Sequence, residues 1–170
     1  MNTDTPLIAR PDAEGYGIPD HSEGLLSWDH VLQRLAAARH YWVDTADRAG
    51  RVHATPIWGA VVDGTLYVEG GPGTKRGRNI AENPQVAVHL ESGEDVVILE
   101  GIAEQIVGPD RSLAQSLVEG MEQKYGAGGY HPTADQWNEG GLYAIRPRKA
   151  FAWTRFPGDA TRFLFPSGDG

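Results

Sequence analysis

Between Tyr41 and Val107 the sequence alternates short extended runs with turn signals, and that rhythm constrains the fold more than any other feature. Tyr41 to Thr45 reads as a strand, followed by a turn over Asp47 to Gly50. Val52 to Val62 reads as one longer strand. Asp63-Gly64 after it is a hairpin signal, because both residue types tolerate the positive φ that a type I′ turn needs. Thr65 to Glu69 then returns as the next strand. Gln85 to Glu91 puts Val86, Val88 and Leu90 on one face at period two. Ser92 to Glu94 turns the chain, and Asp95 to Val107 is a long strand in which Gly101 marks a bulge. Leu142 to Arg146 and Ala150 to Thr154 read as two strands around a turn at Pro147 to Lys149, and Thr161 to Phe165 as a short edge.

Helices frame this series. Ser27 caps a helix running to about Arg39, with Trp28, Val31, Leu32 and Leu35 on one apolar face. Gly108-Pro-Asp110 opens another, with a stripe of Leu113, Leu117, Val118, Met121 and Tyr125. A Gly-rich loop from Gly126 to Gly141 carries Tyr130, His131 and Trp137. The order of elements predicts a mainly β protein, a small Greek-key barrel with peripheral helices. A single domain spans residues 25–165, after a polar arm over 1–24 that is placed to lie on a partner subunit, and before a loose tail over 166–170.

Composition narrows the function classes. At 170 residues the chain suits one domain with a sizeable core. With no Cys, disulfides, thiolate metal sites and Cys nucleophiles are excluded. The six His show no ligand spacing, so no metal site is expected. A net charge of −8 disfavours a general nucleic-acid binder. Without a long apolar run or a signal-like start, no membrane partner is expected and the location expected is cytoplasmic.

Against that acidic background, Gly70 to Pro84 stands out. It holds four glycines before Asn79 and packs Lys75, Arg76 and Arg78 into four positions. It follows a strand and opens a short helix, from about Arg76 to Glu82, that Asn83-Pro84 should end. A donor-rich loop running into a helix N-terminus is a natural anion site, and this one reads as the phosphate clamp of a nucleotide-like cofactor. It is not a P-loop, since the spacing and the Ser/Thr after Lys75 are absent; nor is it a dinucleotide fingerprint, since Arg76 stands where the last Gly belongs. On its own such a loop is more often a solvated basic turn between two elements.

Its neighbours favour the ligand reading. Arg51 to Trp58 precedes the loop by one hairpin, so the two can line one groove. Pro56 cannot donate to a ladder and belongs at an edge or bulge. Trp58 can wall a ring system or pack as ordinary core. His53 can meet a ring edge or face solvent. A second basic group, Arg146, Arg148 and Lys149, can receive the acidic end of a ligand or sit in a charged turn. Nothing near the loop reads as a nucleophile, a metal set or paired carboxylates, which leaves His53 as the one candidate proton donor and no indispensable protein acid.

The combination of Tyr41 to Thr45, Gly50 to Trp58, Asp63 to Val68, Lys75 to Ile80 and Asn83 to Val88 resembles the pyridoxamine 5′-phosphate oxidase-like split-barrel flavoproteins. It is most similar to their actinobacterial branch, many of which use the deazaflavin coenzyme F420. The resemblance covers roughly Trp28 to Phe165. It implies an FMN-binding split-barrel fold and a homodimer with cofactors at the subunit interface. By similarity Arg76, Arg78 and Asn79 fall on the clamp for the cofactor phosphate, with Lys75 and Thr74 assisting. His53, Thr55, Pro56, Ile57 and Trp58 fall on the strand contacting the ring system. The implied function is hydride transfer between F420 and a small hydrophobic or conjugated substrate. The alternatives are an FMN-dependent oxidoreductase of the same fold, or a non-catalytic flavin- or haem-binding protein. The chain departs from pyridoxamine phosphate oxidases proper: it has no counterpart of their Arg-x-His segment near the end, where it reads Ala160 to Phe165.

Overall fold

The computed structural model describes residues 5–166. The expected barrel is present, with nine strands and three α-helices among the described residues. In chain order they are β1 (Leu7–Ala9), α1 (Trp28–Ala37), β2 (Tyr41–Ala46), β3 (Val52–Ile57), β4 (Gly59–Val62), β5 (Thr65–Glu69), α2 (Lys75–Glu82), β6 (Gln85–His89), β7 (Val96–Ile106), α3 (Arg111–Tyr125), β8 (Leu142–Trp153) and β9 (Thr161–Leu164).

The sheet closes on itself through one residue. The ladder β3–β2–β6–β7–β8–β5–β4 ends on two strands joined in the chain only by Trp58. The run expected as a single strand over Val52 to Val62 is therefore two. β3 pairs with β2, β4 pairs with β5, and the break at Trp58 lets one stretch of chain serve both neighbours. Gly59 makes the change of direction possible, because a Cβ there would lie 2.5 Å from the Tyr67 carbonyl oxygen. Asp63 (φ 48°) and Gly64 (φ 75°) form the expected tight hairpin. The link from β5 to β6 does not join neighbours. It crosses β4–β3 and β2 in Greek-key fashion and carries α2 on the way.

β8 corrects a second expectation. It runs unbroken from Leu142 to Trp153 instead of turning at Pro147. Pro is tolerated there because β8 changes partners around it: Leu142–Ile145 pair with β5, and Lys149–Ala152 with β9. On the other side the register with β7 shifts between Glu100 and Gly101, where Arg148 is the extra residue and β8 itself bulges beside Pro147. The barrel splits at this point, and the arm joins the split-off sheet: Leu7–Ala9 pair with Leu164–Arg162 of the same chain. The first four residues of the arm and residues 167–170 of the tail lie outside the described residues.

Two apolar cores result. One fills the barrel, with Tyr41, Val43, Val68, Val88, Leu99 and Phe163 buried. The other lies between α3 and the barrel wall, where Leu117, Met121 and Tyr125 meet Tyr67, Leu142 and Trp137. Val97 and Leu99 are buried in the first core, while Val96, buried, and Ile98, half-buried, lie on the opposite face of β7, so its apolar start is divided between the two faces. Among the described residues no helix is long and apolar enough to cross a membrane.

Candidate functional site

The basic loop folds as its residues dictate. Thr74 is the N-cap of α2, its Oγ1 accepting from the Gly77 amide at 3.1 Å. Gly77 is obligatory, since a Cβ would lie 2.6 Å from the Pro72 carbonyl oxygen. Asn83 caps the other end and donates from Nδ2 to the Ala46 carbonyl. No acidic residue occupies the first turn of α2, so its positive end is not neutralised from within.

Arg76 turns inward from this turn. It is 8 % exposed. Its Nη1 donates to Thr55 Oγ1 at 2.9 Å, and its Nη2 approaches the Glu69 carbonyl oxygen at 3.5 Å. Its Nε is buried without a hydrogen-bond partner. Among the described residues no carboxylate pairs with it. Gly70 makes room, because a Cβ there would lie 2.1 Å from Arg76 Nη2. Burial pushes the pKa of the guanidinium down, but it stays charged. A buried cation with spare donors is the arrangement an anionic group completes.

Arg76 lines an open cleft of about 730 Å³. Pro56, Ile57 and Trp58 form one wall, as the sequence suggested, and Gly70 to Pro72 form the floor near Arg76. Trp58 is 37 % exposed. It stacks on Tyr125 at 4.6 Å between ring centroids with planes 11° apart, and meets Tyr130 edge-on at 5.0 Å. It is thus a braced aromatic wall and not ordinary core.

The remaining expected residues sit around the cleft but do not line it. Thr55 braces Arg76 from β3. Asn79 is buried and donates from Nδ2 to Thr45 Oγ1 at 3.0 Å, tying α2 to β2. Lys75 and Arg78 are exposed, and Arg78 folds back so that Nη1 meets the Gly73 carbonyl. His53 lies opposite Thr45 on the face of β3 that carries Thr55 and Ile57, further along the strand, and does not line the cleft. In the second basic group, Arg146 and Lys149 are paired with Glu104 and Glu100.

The opposite wall was not foreseen. It comes from the loop after α3 and from Glu69 at the end of β5. Tyr130 Oη donates to Glu69 Oε2 at 2.8 Å, and Gln136 Nε2 donates to the same oxygen at 3.1 Å and to Tyr130 Oη at 2.8 Å. Burial pushes the Glu69 carboxyl above its usual range, against the hydrogen bonds from Tyr130 and Trp137. The aromatic loop drew notice in the sequence, but nothing local links it to a carboxyl some sixty residues earlier.

The comparisons bear on this geometry. Residues 27–154 match the family described as pyridoxamine 5′-phosphate oxidase. The chain belongs to this family. The match runs from the cap of α1 to just past the end of β8 and so contains both walls of the cleft and α2. Solved structures agree on the split-barrel fold. A conserved hypothetical protein of Mycobacterium tuberculosis superposes with a TM-score of 0.64 at 23 % identity, over 79 % of this chain and 89 % of that one. A haem-binding protein of Mycobacterium smegmatis gives 0.59 at 16 % identity, over 79 % and 57 %. A protein described as an F420 reductase gives 0.52 at 17 % identity, over 69 % and 94 %. Comparison with curated proteins finds no significant match. Relatives of the pyridoxamine 5′-phosphate oxidase fold thus carry differing functions, and the chemistry must be argued from this member's own residues.

Proposed function

We propose that this member of the family is an oxidoreductase that transfers a hydride between the deazaflavin F420 and a small hydrophobic or conjugated substrate, working as a cytoplasmic homodimer. The observation that carries the reading is Arg76, a buried guanidinium with an orphaned Nε and no acid partner among the described residues, in a cleft walled by Trp58. The residues present fit a phosphorylated ring cofactor. Arg76 would hold the phosphate, with Lys75, Arg78 and the first turn of α2 adding positive potential. Thr74 and Asn79 would keep α2 in place, and His53 to Trp58 would flank the ring system. When bound, the cofactor supplies the hydride chemistry. The protein's part is to orient the ring and keep water from it. A neighbour described as an F420 reductase supports F420 over FMN as the first choice.

Titration of the purified protein with F420, FMN and haem, followed by absorbance and fluorescence, tests this. We expect F420 to bind most tightly. Charge-assisted hydrogen bonds are worth about 1.5–3 kcal/mol each, so Arg76→Gln should weaken cofactor binding about ten- to a hundredfold. Arg78→Gln, altering an exposed group, should weaken it less. Equal affinity in wild type and Arg76→Gln would remove the clamp; preference for haem would place the chain with the haem binders.

A further inference from the structure

Glu69 is a carboxyl with no counter-ion among the described residues, at the edge of a cleft, and its position follows from the strand. Alternation along β5 puts it on the face of Tyr67, outside the barrel, looking toward the loop after α3. Arg76 reaches only its backbone carbonyl, not its carboxylate. The titratable and charged groups around it are Tyr130 and Tyr125 from α3 and its loop, Glu139 further along the cleft, and Arg76 from α2. Tyr130 and Gln136 converge on Oε2, and Trp137 adds a third neutral donor to the carboxyl. Such a shell fixes the orientation of the carboxyl; its donors favour the carboxylate, and burial outweighs them.

We propose that Glu69 is the proton donor of the cleft, with Tyr130 and Gln136 as its positioning residues. This rests on the hydride-transfer reading above. In reduction of a conjugated acceptor, a hydride from the reduced deazaflavin or flavin forms a new C–H bond at one end of the π system. The displaced electron pair moves to the far atom. The Glu69 O–H bond breaks and its proton goes to that atom. The carboxylate left behind regains a proton from solvent in the open cleft. Substrate gains two electrons and two hydrogens, and the cofactor is oxidised by two electrons. His53, outside the cleft lining, is not needed for this step. The raised affinity of Glu69 for its proton favours the role.

The first test needs no cofactor. Carbon-13 NMR of Glu-labelled apoprotein, assigned with Glu69→Gln, should place the Glu69 midpoint above the ordinary carboxyl value of about 4.3. Tyr130→Phe, which removes a donor to the carboxylate, should move that midpoint further up. A midpoint at or below the ordinary value overturns the proposal. The second test uses reduced F420 with 2-cyclohexen-1-one. Rate should be lost as pH rises through the Glu69 midpoint, because the protonated form is the active one. Glu69→Gln, checked for unchanged melting behaviour, should lower kcat about a hundredfold or more, abolish that limb and leave cofactor affinity within about threefold. A kcat within threefold of wild type and an unchanged pH profile also overturns the proposal. If wild type binds neither F420 nor FMN, the cofactor reading fails and the delivery step with it, while the apoprotein titration still decides whether Glu69 holds the proton.

Discussion

A buried guanidinium without an acid is costly, and Arg76 is held in that state by its neighbours. Gly70 leaves the space, Thr55 takes one donor, and α2 fixes the backbone. Asp159 is the opposite case, a buried acid whose donors satisfy it. It is 2 % exposed and accepts from the Thr154 amide and hydroxyl and the Arg155 amide, the bonds lying between 2.6 and 3.0 Å. Burial alone would raise its pKa, but these bonds outweigh burial and hold it below the usual range. The stabilisation is therefore present above the ordinary carboxylate range and is lost as pH falls through the depressed folded value. Asp159→Ala strands two amides and a hydroxyl and should cost on the order of 2–4 kcal/mol. Thermal unfolding between pH 7 and 3 should show a gap to wild type that is widest at neutral pH and narrows in acid. A gap independent of pH would assign the loss to packing instead.

At the scale of elements, the sequence is most readable where signals are local. Asp63-Gly64 forms its hairpin, Asn83-Pro84 ends α2, and the Val86, Val88 and Leu90 face is buried as the alternation requires. Pro147 misled because a proline breaks a ladder only where a ladder bond is needed. Here β8 itself bulges at Arg148 against β7, and its other neighbour changes from β5 to β9; neither is visible in the local sequence. Trp58 is similar: the break between β3 and β4 exists because two partners share one stretch of chain. At the site, Arg76 and Pro56 to Trp58 were legible as a basic loop beside an edge strand. Glu69, Tyr130 and Gln136 were not, because only the closed barrel brings them together. The bulge offers a direct test. A Cβ on Gly101 would lie 2.1 Å from the Arg146 carbonyl oxygen and 2.8 Å from Pro147 Cα. Gly101→Ala should destabilise by roughly 1–3 kcal/mol. Urea unfolding should give a lower midpoint with an unchanged slope. Full stability would mean that β7 and β8 part easily there.

For the whole molecule the outer face of the barrel matters most. Register places Pro56, Trp42, His89, Ile98 and Phe151 in one row across β3, β2, β6, β7 and β8, opposite the buried face. Trp42 and His89 stack in parallel at 6.1 Å. This flat, half-buried, largely apolar row can be covered by a second copy. Stable pairs commonly bury about 1,600 Å² in total. Sedimentation equilibrium at micromolar concentration should give a dimer, and Phe151→Glu should shift it toward monomer. A monomeric wild type that still binds cofactor fully would overturn the dimer.

The pairing of Leu7 with Leu164 has a consequence of another kind. Paired strands lie about 5 Å apart, so the two ends of the described chain are next-door neighbours. The barrel is a cycle in space, and the place where the polypeptide enters that cycle is arbitrary. A short tether from one end to the other, with a cut at the exposed Ser92 to Glu94 turn, would preserve every ladder, both cores and both walls of the cleft. The architecture is indifferent to where reading begins; only the sequence of contacts around the ring is fixed.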